Sequence, residues 1–495
     1  MPRSPIVVVV LWAAMILPFD ASWNRAWAGE SDDPQTATAP SAEPKDDSPD
    51  SLEGLRAAWD ASPLDIVAGL RLQDAMVAAG QTRAAESLFR AALRKQPDAP
   101  AARFLTGRIQ GGDAGIRAMR AALGDRLGLA EGDDRGLVAA WVALAVAEVR
   151  AGNGKDAERA ASRITALRGS AADWTYLGWI QERLLDRPED AIRSYEAAIR
   201  KDADHLPARN ALAVLTADAG RVEEALEMAR ATVAGHANDA TALLHLGLVQ
   251  ALSGDTDAAR GSYSKALAGA GRNPDTLASI ASAFMDIEEN KLAGAALERA
   301  LTIDPDHVQS LTNAGLLALA EGDAKGARAY FKRASKLRPR DARIVFLRAV
   351  SEERLGLTAS AVTSYRRAMS LDPHRMEYAY ALALALRKKG AYEAAVKKLQ
   401  EAIRMCPDDA GLHLQLGITL MKQKKYRAAS ESFLDAAERD PKNARPHFYL
   451  AIIYGDHLDM PEEALRALET YARLGGNEPS AIAWLEELRE AQGAK

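Results

Sequence analysis

The sequence predicts an all-α protein: a right-handed superhelical solenoid of about twelve helix-turn-helix units, finished by a C-terminal capping helix. Three observations predict it. Pro305, Pro339, Pro373, Pro407 and Pro441 follow one another at a constant interval of 34 residues. With each proline set as position 32 of a unit, position 20 reads Ala191, Ala225, Ala259, Ala293, Ala327, Ala361, Ala395, Ala429 and Ala464, allowing one inserted residue in the first and last of these units. Alanine makes up only about one residue in five of the whole chain, so composition alone does not produce that column. Position 8 is equally restricted: Gly178, Ala213, Gly247, Ala281, Gly315, Ala349, Ala383, Gly417 and Ala451.

Each element follows in chain order. Residues 1–28 hold Arg3, an apolar run from Ile6 to Phe19, and Ala26-Trp27-Ala28, the pattern of a signal peptide cleaved after Ala28. The run is too short to span a bilayer comfortably, so retention as an N-terminal anchor is the alternative. Residues 29–50 carry four prolines and seven acids against Lys45, a disordered acidic linker unable to bury enough surface to offset ordering. Residues 51–65 are an N-terminal cap segment, and 66–170 hold three atypical units, of which 100–137 is degenerate with a shortened, glycine-rich middle. Nine regular units occupy 171–478, and 479–495 form the capping helix, with Ile482, Trp484, Leu485 and Leu488 covering the last exposed apolar face.

Within a unit, apolar residues three, four and seven apart mark two amphipathic helices. Glycines at the middle supply the turn (Gly220, Gly254, Gly322, Gly356, Gly390), and the late proline stops the second helix. Small residues at positions 8 and 20 let the backbones approach, while Tyr195, Tyr263, Phe331, Tyr365 and Phe433 at position 24 fill the space around them. With Ala198, Ala266, Ala300, Ala334, Ala368, Ala402 and Ala436 at position 27, this pattern resembles the tetratricopeptide repeat family. Unit 410–443 is the nearest match; Thr232, Arg348, and Glu288 in place of a turn glycine depart from the pattern.

Composition narrows function. A net charge of −5 is no footprint of nucleic-acid binding, and a single cysteine, Cys406, excludes an intramolecular disulfide and a thiolate zinc site. No nucleophile elbow, phosphate loop or HExxH motif is present, so no catalytic, metal or cofactor residue is assigned and no enzyme activity is expected. His205, His236, His307 and His374 fall in turns and read as solvated; His413 reads as a helix-face residue.

The resemblance implies a partner groove lined by first-helix positions 2, 5, 6, 9, 12 and 13. Position 9 contributes Trp179, Val214, Leu248, Leu316, Val350, Leu384, Ile418 and Ile452; position 5 contributes Phe346, Tyr380 and Phe448. A long apolar groove suits a helix or an extended apolar peptide, unless its side chains pack on one another. Arg387, Lys388, Lys389, Lys422, Lys424 and Lys425 form a basic cluster, either a solvated face or a surface for an anionic protein patch, acidic glycan or lipid headgroup. The expectation is a non-catalytic exported scaffold for protein-protein assembly in the periplasm or outside the cell, with no transmembrane domain after signal cleavage. A glycan-contacting component of exopolysaccharide, pilus or secretion export is the alternative, and a subunit of an enzyme whose active site lies in another chain is a third.

Overall fold

The computed structural model describes residues 51–124 and 134–493. The signal peptide and acidic linker expected at 1–28 and 29–50 lie outside the described residues. The chain divides into two compact units, one ending at Gly271 and the other beginning at Arg272. Among the described residues every regular element is helical.

Unit 1 opens with α1 (Leu52–Ala61), whose Leu55 and Trp59 are buried. Five hairpins of regular length follow or flank a short one: α2/α3 (Ile66–Ala78, Thr82–Lys95), α4/α5 (Pro100–Gln110, Gly112–Gly124), α6/α7 (Asp134–Arg150, Gly154–Leu167), α8/α9 (Ala171–Arg183, Pro188–Lys201), α10/α11 (Leu206–Asp218, Val222–Gly235) and α12/α13 (Ala240–Leu252, Thr256–Gly269). The short one is α4/α5. Its helices are joined through Gly111 and Gly112 at φ of 64° and 61°, a left-handed bend that side-chain-bearing residues resist. A Cβ on Gly107 would meet the Gly115 carbonyl at 2.7 Å, so this degenerate hairpin closes backbone on backbone.

Unit 2 comprises α14/α15 (Pro274–Asp286, Asn290–Ile303), α16/α17 (Val308–Ala320, Ala324–Leu337), α18/α19 (Ala342–Arg354, Thr358–Leu371), α20/α21 (Met376–Lys388, Tyr392–Met405) and α22/α23 (Ala410–Lys422, Tyr426–Arg439). The last hairpin pairs α24 (Arg445–Ile452) with α25 (Pro461–Arg473), and the inserted residue is absorbed as a π-turn at Ile453–His457. Finally α26 (Pro479–Gly493) lays Ala481, Trp484, Leu485 and Leu488 on the core of that hairpin. In both units each first helix packs on its own second helix, and each second helix on the next first helix, the nearest-neighbour stacking of a solenoid.

Local chemistry sets the boundaries. Asp239, Asp341 and Asp409 cap α12, α18 and α22 by accepting the N–H three residues on, and Ser170 and Asp173 form a reciprocal capping box on α8. Turn glycines Gly220, Gly254, Gly322, Gly356 and Gly390 adopt φ between 72° and 84°; where glycine is missing, Glu288 and Lys424 are held at φ of 62°. Left-handed backbone costs a residue with a Cβ about 1–2 kcal/mol. Lys424→Gly is therefore expected to raise unfolding free energy by about 1 kcal/mol, measured by urea titration.

The conserved spacing of small residues now has a contact. All nine position-20 alanines are fully buried. An added Cβ on Gly178 would lie 2.7 Å from the Tyr195 ring, and on Gly315 and Gly417 it would lie 2.6 Å from Phe331 and Phe433; Gly247 stands still closer to Tyr263. Units with alanine at position 8 mostly carry a smaller partner at position 24: Ala213 with Ala229, Ala281 with Leu297, Ala383 with Leu399 and Ala451 with Leu468. The exception is Ala349 with Tyr365, whose ring tilts onto Phe346 at 5.4 Å and whose hydroxyl donates to Glu353 at 2.8 Å.

Candidate functional site

The first helices carry the apolar row singled out by sequence. Trp179, Val214 and Leu248 of unit 1 are half-buried, as are Phe346, Tyr380, Leu384, Ile418, Phe448 and Ile452 of unit 2. Two members differ: Leu316 and Val350 are only 4% and 9% exposed, so they are core residues and offer no surface to a partner. Part of the remaining row also packs on itself. Phe346 lies 4.8 Å from the ring of Tyr378, and Phe448 lies 5.6 Å from Tyr449 and 5.5 Å from Tyr471. The apolar surface left partly open in unit 2 centres on Tyr380, Leu384, Ile418 and Ile452, spread over three successive first helices.

Sequence reasoning missed a second row, of polar side chains that tie one first helix to the next. Gln73 donates to the Leu105 carbonyl at 2.6 Å, Asn313 to that of Ala278 at 3.0 Å, and Arg354 to that of Leu319 at 2.7 Å. These partners lie about one repeat apart in sequence, and that offset, with polar residues inside apolar helix faces, is the signal that could have found them. His307 belongs to the same set. It is no solvated turn residue: one ring nitrogen meets Ser310 Oγ and the other Asp275 Oδ1, both at 2.8 Å, so it bridges the start of α16 to the start of α14. His205 is half-buried, and burial lowers its pKa. His413 is buried with its Nε2 at 2.9 Å from the Pro407 carbonyl.

Within hairpins a second polar device recurs. Serine on the second helix donates to position 11 of the first: Ser194 to Gln181 at 2.7 Å, Ser262 to Gln250 at 2.6 Å and Ser364 to Glu352 at 2.8 Å. Glu352 is 1% exposed and also accepts from Arg348 at 3.0 Å, which accounts for arginine at a position held by leucine in most repeats. A buried carboxyl group stays ionised only when paired in this way.

The basic cluster is not uniformly exposed. Lys388, Lys389, Lys422, Lys424 and Lys425 are exposed, but Arg387 is half-buried and its Nη1 donates to Gln415 Oε1 on the next first helix at 2.7 Å. A turn of 100° per residue separates Arg387 from its chain neighbours. Burial pulls the Arg387 guanidinium below its usual value, and the groups that favour its charge are the hydroxyls of Tyr380 and Tyr449.

Asp286, at the end of α14, has a buried carboxylate oxygen without a hydrogen-bond partner, and desolvation pushes its pKa to about 7. The unfolded chain ionises near 4, so between pH 4 and 7 the folded state holds the extra proton and stability falls as pH rises. Asp286→Asn is expected to gain on the order of 2 kcal/mol over wild type at pH 8, allowing for solvent access, and nothing near pH 4. Urea titrations at the two pH values measure the difference.

Among the described residues no three His, Cys, Asp or Glu side chains converge as a metal site, and no helix is long and apolar enough to cross a membrane. A tetratricopeptide repeat model matches residues 71–110, 183–234, 210–274, 279–342, 312–373 and 414–479, more than half of the chain, and a TPR repeat model matches 383–424. The chain belongs to the tetratricopeptide repeat family. Its helical hairpins are tetratricopeptide repeats, and the molecule is a repeat scaffold. No curated protein matches the sequence. Among solved structures it is similar to YrrB, a TPR protein with an unusual peptide-binding site, at 18% identity over 36% of this chain and 92% of that one, with a TM-score of 0.33. PilF of Pseudomonas aeruginosa matches at 18% identity over 46% of this chain and 100% of that one, with a TM-score of 0.36. The Cut9-Hcn1 assembly of the APC/C matches at 14% identity over 98% of this chain and 99% of that one, with a TM-score of 0.35.

Proposed function

We propose that this tetratricopeptide repeat scaffold binds another polypeptide along a groove formed by its first helices, without catalysis of its own. The single observation that carries the reading is the row Tyr380, Leu384, Ile418 and Ile452, which leaves apolar side chains partly open at one-repeat intervals on three consecutive first helices of unit 2. An intermittent apolar strip flanked by polar side chains suits a helix or extended segment with regularly spaced apolar residues. Export to the periplasm or cell exterior, and a role in assembling envelope complexes, belong to the same proposal. They rest on Arg3, the apolar run Ile6 to Phe19, and Ala26-Trp27-Ala28.

Lysine-directed crosslinking of the full chain in its native cells, read by mass spectrometry, tests this reading. Crosslinks from Lys388 and Lys422 to one partner polypeptide are expected, and they should disappear in Tyr380→Ala/Leu384→Asp while the folded far-UV spectrum persists. Crosslinks confined to second-helix lysines such as Lys332 and Lys397, unaffected by that variant, would overturn the groove. The same purified protein should begin at Gly29; an intact apolar run would overturn export by cleavage.

A further inference from the structure

Burying part of a guanidinium among neutral groups is costly unless a carboxylate arrives to compensate it. Arg387 is in that situation. It sits one helical turn beyond Leu384 on the face of α20, half-buried, between Tyr380 of its own helix and Gln415 of α22. Arginine cannot shed its proton to escape the cost. Among the described residues no carboxylate forms an ion pair with it; its hydrogen-bond partner is the neutral Gln415 amide.

The surrounding charge is mainly positive. Positions 12 and 13 of three successive first helices place Arg354, Arg387, Lys388 and Lys422 at the same end of their helices, and Lys389, Lys424 and Lys425 follow in the adjoining turns. Arg354 is satisfied by the Leu319 carbonyl, and the lysines are exposed. Glu353, the acid in this band, already accepts from Tyr365. The strip therefore has an apolar floor at Leu384 and Ile418 and a cationic edge about one turn away, a combination that neither a wholly apolar peptide nor a simple polyanion matches.

We infer that Arg387 anchors an aspartate or glutamate side chain of the bound polypeptide, next to an apolar residue that rests on Leu384 and Ile418, with the neighbouring lysines favouring further acids on that edge. This rests on the groove reading above and names the chemistry of its occupant. The bidentate geometry of guanidinium with carboxylate would fix the register of the segment along the repeats, and the exposed lysines would speed its approach.

Selection of a random library of about twelve-residue peptides on the immobilised full chain tests the inference, followed by fluorescence anisotropy of the selected peptides. Selected sequences should pair Asp or Glu with a neighbouring Leu, Ile or Phe. Arg387→Gln should weaken them roughly tenfold or more, Arg387→Lys should recover part of the loss, and Lys397→Gln, on a second helix, should leave affinity unchanged. Thermal melts of each variant check that the fold is kept. Selected peptides without acids that depend on Leu384 but not on Arg387 would overturn this inference and leave the groove standing. Failure to select any peptide would overturn both. Arg387-dependent binding of polygalacturonate or of phosphatidylglycerol vesicles, in place of peptides, would overturn the polypeptide occupant in favour of a glycan or a lipid surface.

Discussion

Arg348→Leu is expected to destabilise the protein by about 3–5 kcal/mol, although leucine is the commoner residue at that repeat position. The substitution removes a donor 3.0 Å from Glu352 and leaves a carboxylate that is 1% exposed with Ser364 and the more distant Arg328 as its remaining partners. Glu352→Leu made in the same chain should restore most of the loss or exceed wild type, because the pair then becomes Leu–Leu, as at Leu382 and Leu386 or Leu416 and Leu420 of the next two repeats. Well-packed leucines commonly match or surpass a buried ion pair. Urea unfolding of the two single variants and the double variant gives the coupling directly. A single Arg348→Leu variant as stable as wild type would refute the pairing.

Gly315→Ala carries the second large effect. Its new methyl would sit 2.6 Å from the Phe331 ring, inside contact distance, and the ring is fully buried with nowhere to retreat. Overpacking of this kind costs about 1–3 kcal/mol. Phe331→Leu alone creates a cavity, yet combined with Gly315→Ala it reproduces the alanine–leucine pairs Ala281/Leu297 and Ala383/Leu399. The double variant should therefore be more stable than the sum of the two single losses, by a margin of about 1 kcal/mol or more in a double-mutant cycle. Simple additivity would show that the two positions do not share one space.

The fold was legible because its determinants are local and repeat. A small residue at position 20, a turn glycine and a terminating proline each act within their own hairpin, and the repetition averages out departures such as Glu288. The candidate site was less legible because its decisive contacts cross from one repeat to the next. Leu316 and Val350 occupy the same repeat position as Leu384 and Ile418, yet the first two are buried and the latter two half-open. Burial on that face depends on side chains tens of residues away, which a periodic pattern does not encode. His307 read as a solvated turn residue for the same reason: its partner Asp275 lies one repeat upstream. Arg387 groups with Lys388 and Lys389 by adjacency in the chain, but its partial burial against Gln415 is set by the next repeat.

The side-chain ties between successive first helices also set a length standard. Asn313 to Ala278, Arg354 to Leu319 and Arg387 to Gln415 each fix one first helix against its neighbour. Second helices reach the next repeat through apolar packing and through directed side-chain pairs of their own, such as Arg120 with Glu148 and Arg328 with Glu352. If the first-helix face is the proposed groove, it acts as a graduated ruler, and a bound segment should carry its own side chains at the one-repeat interval marked there.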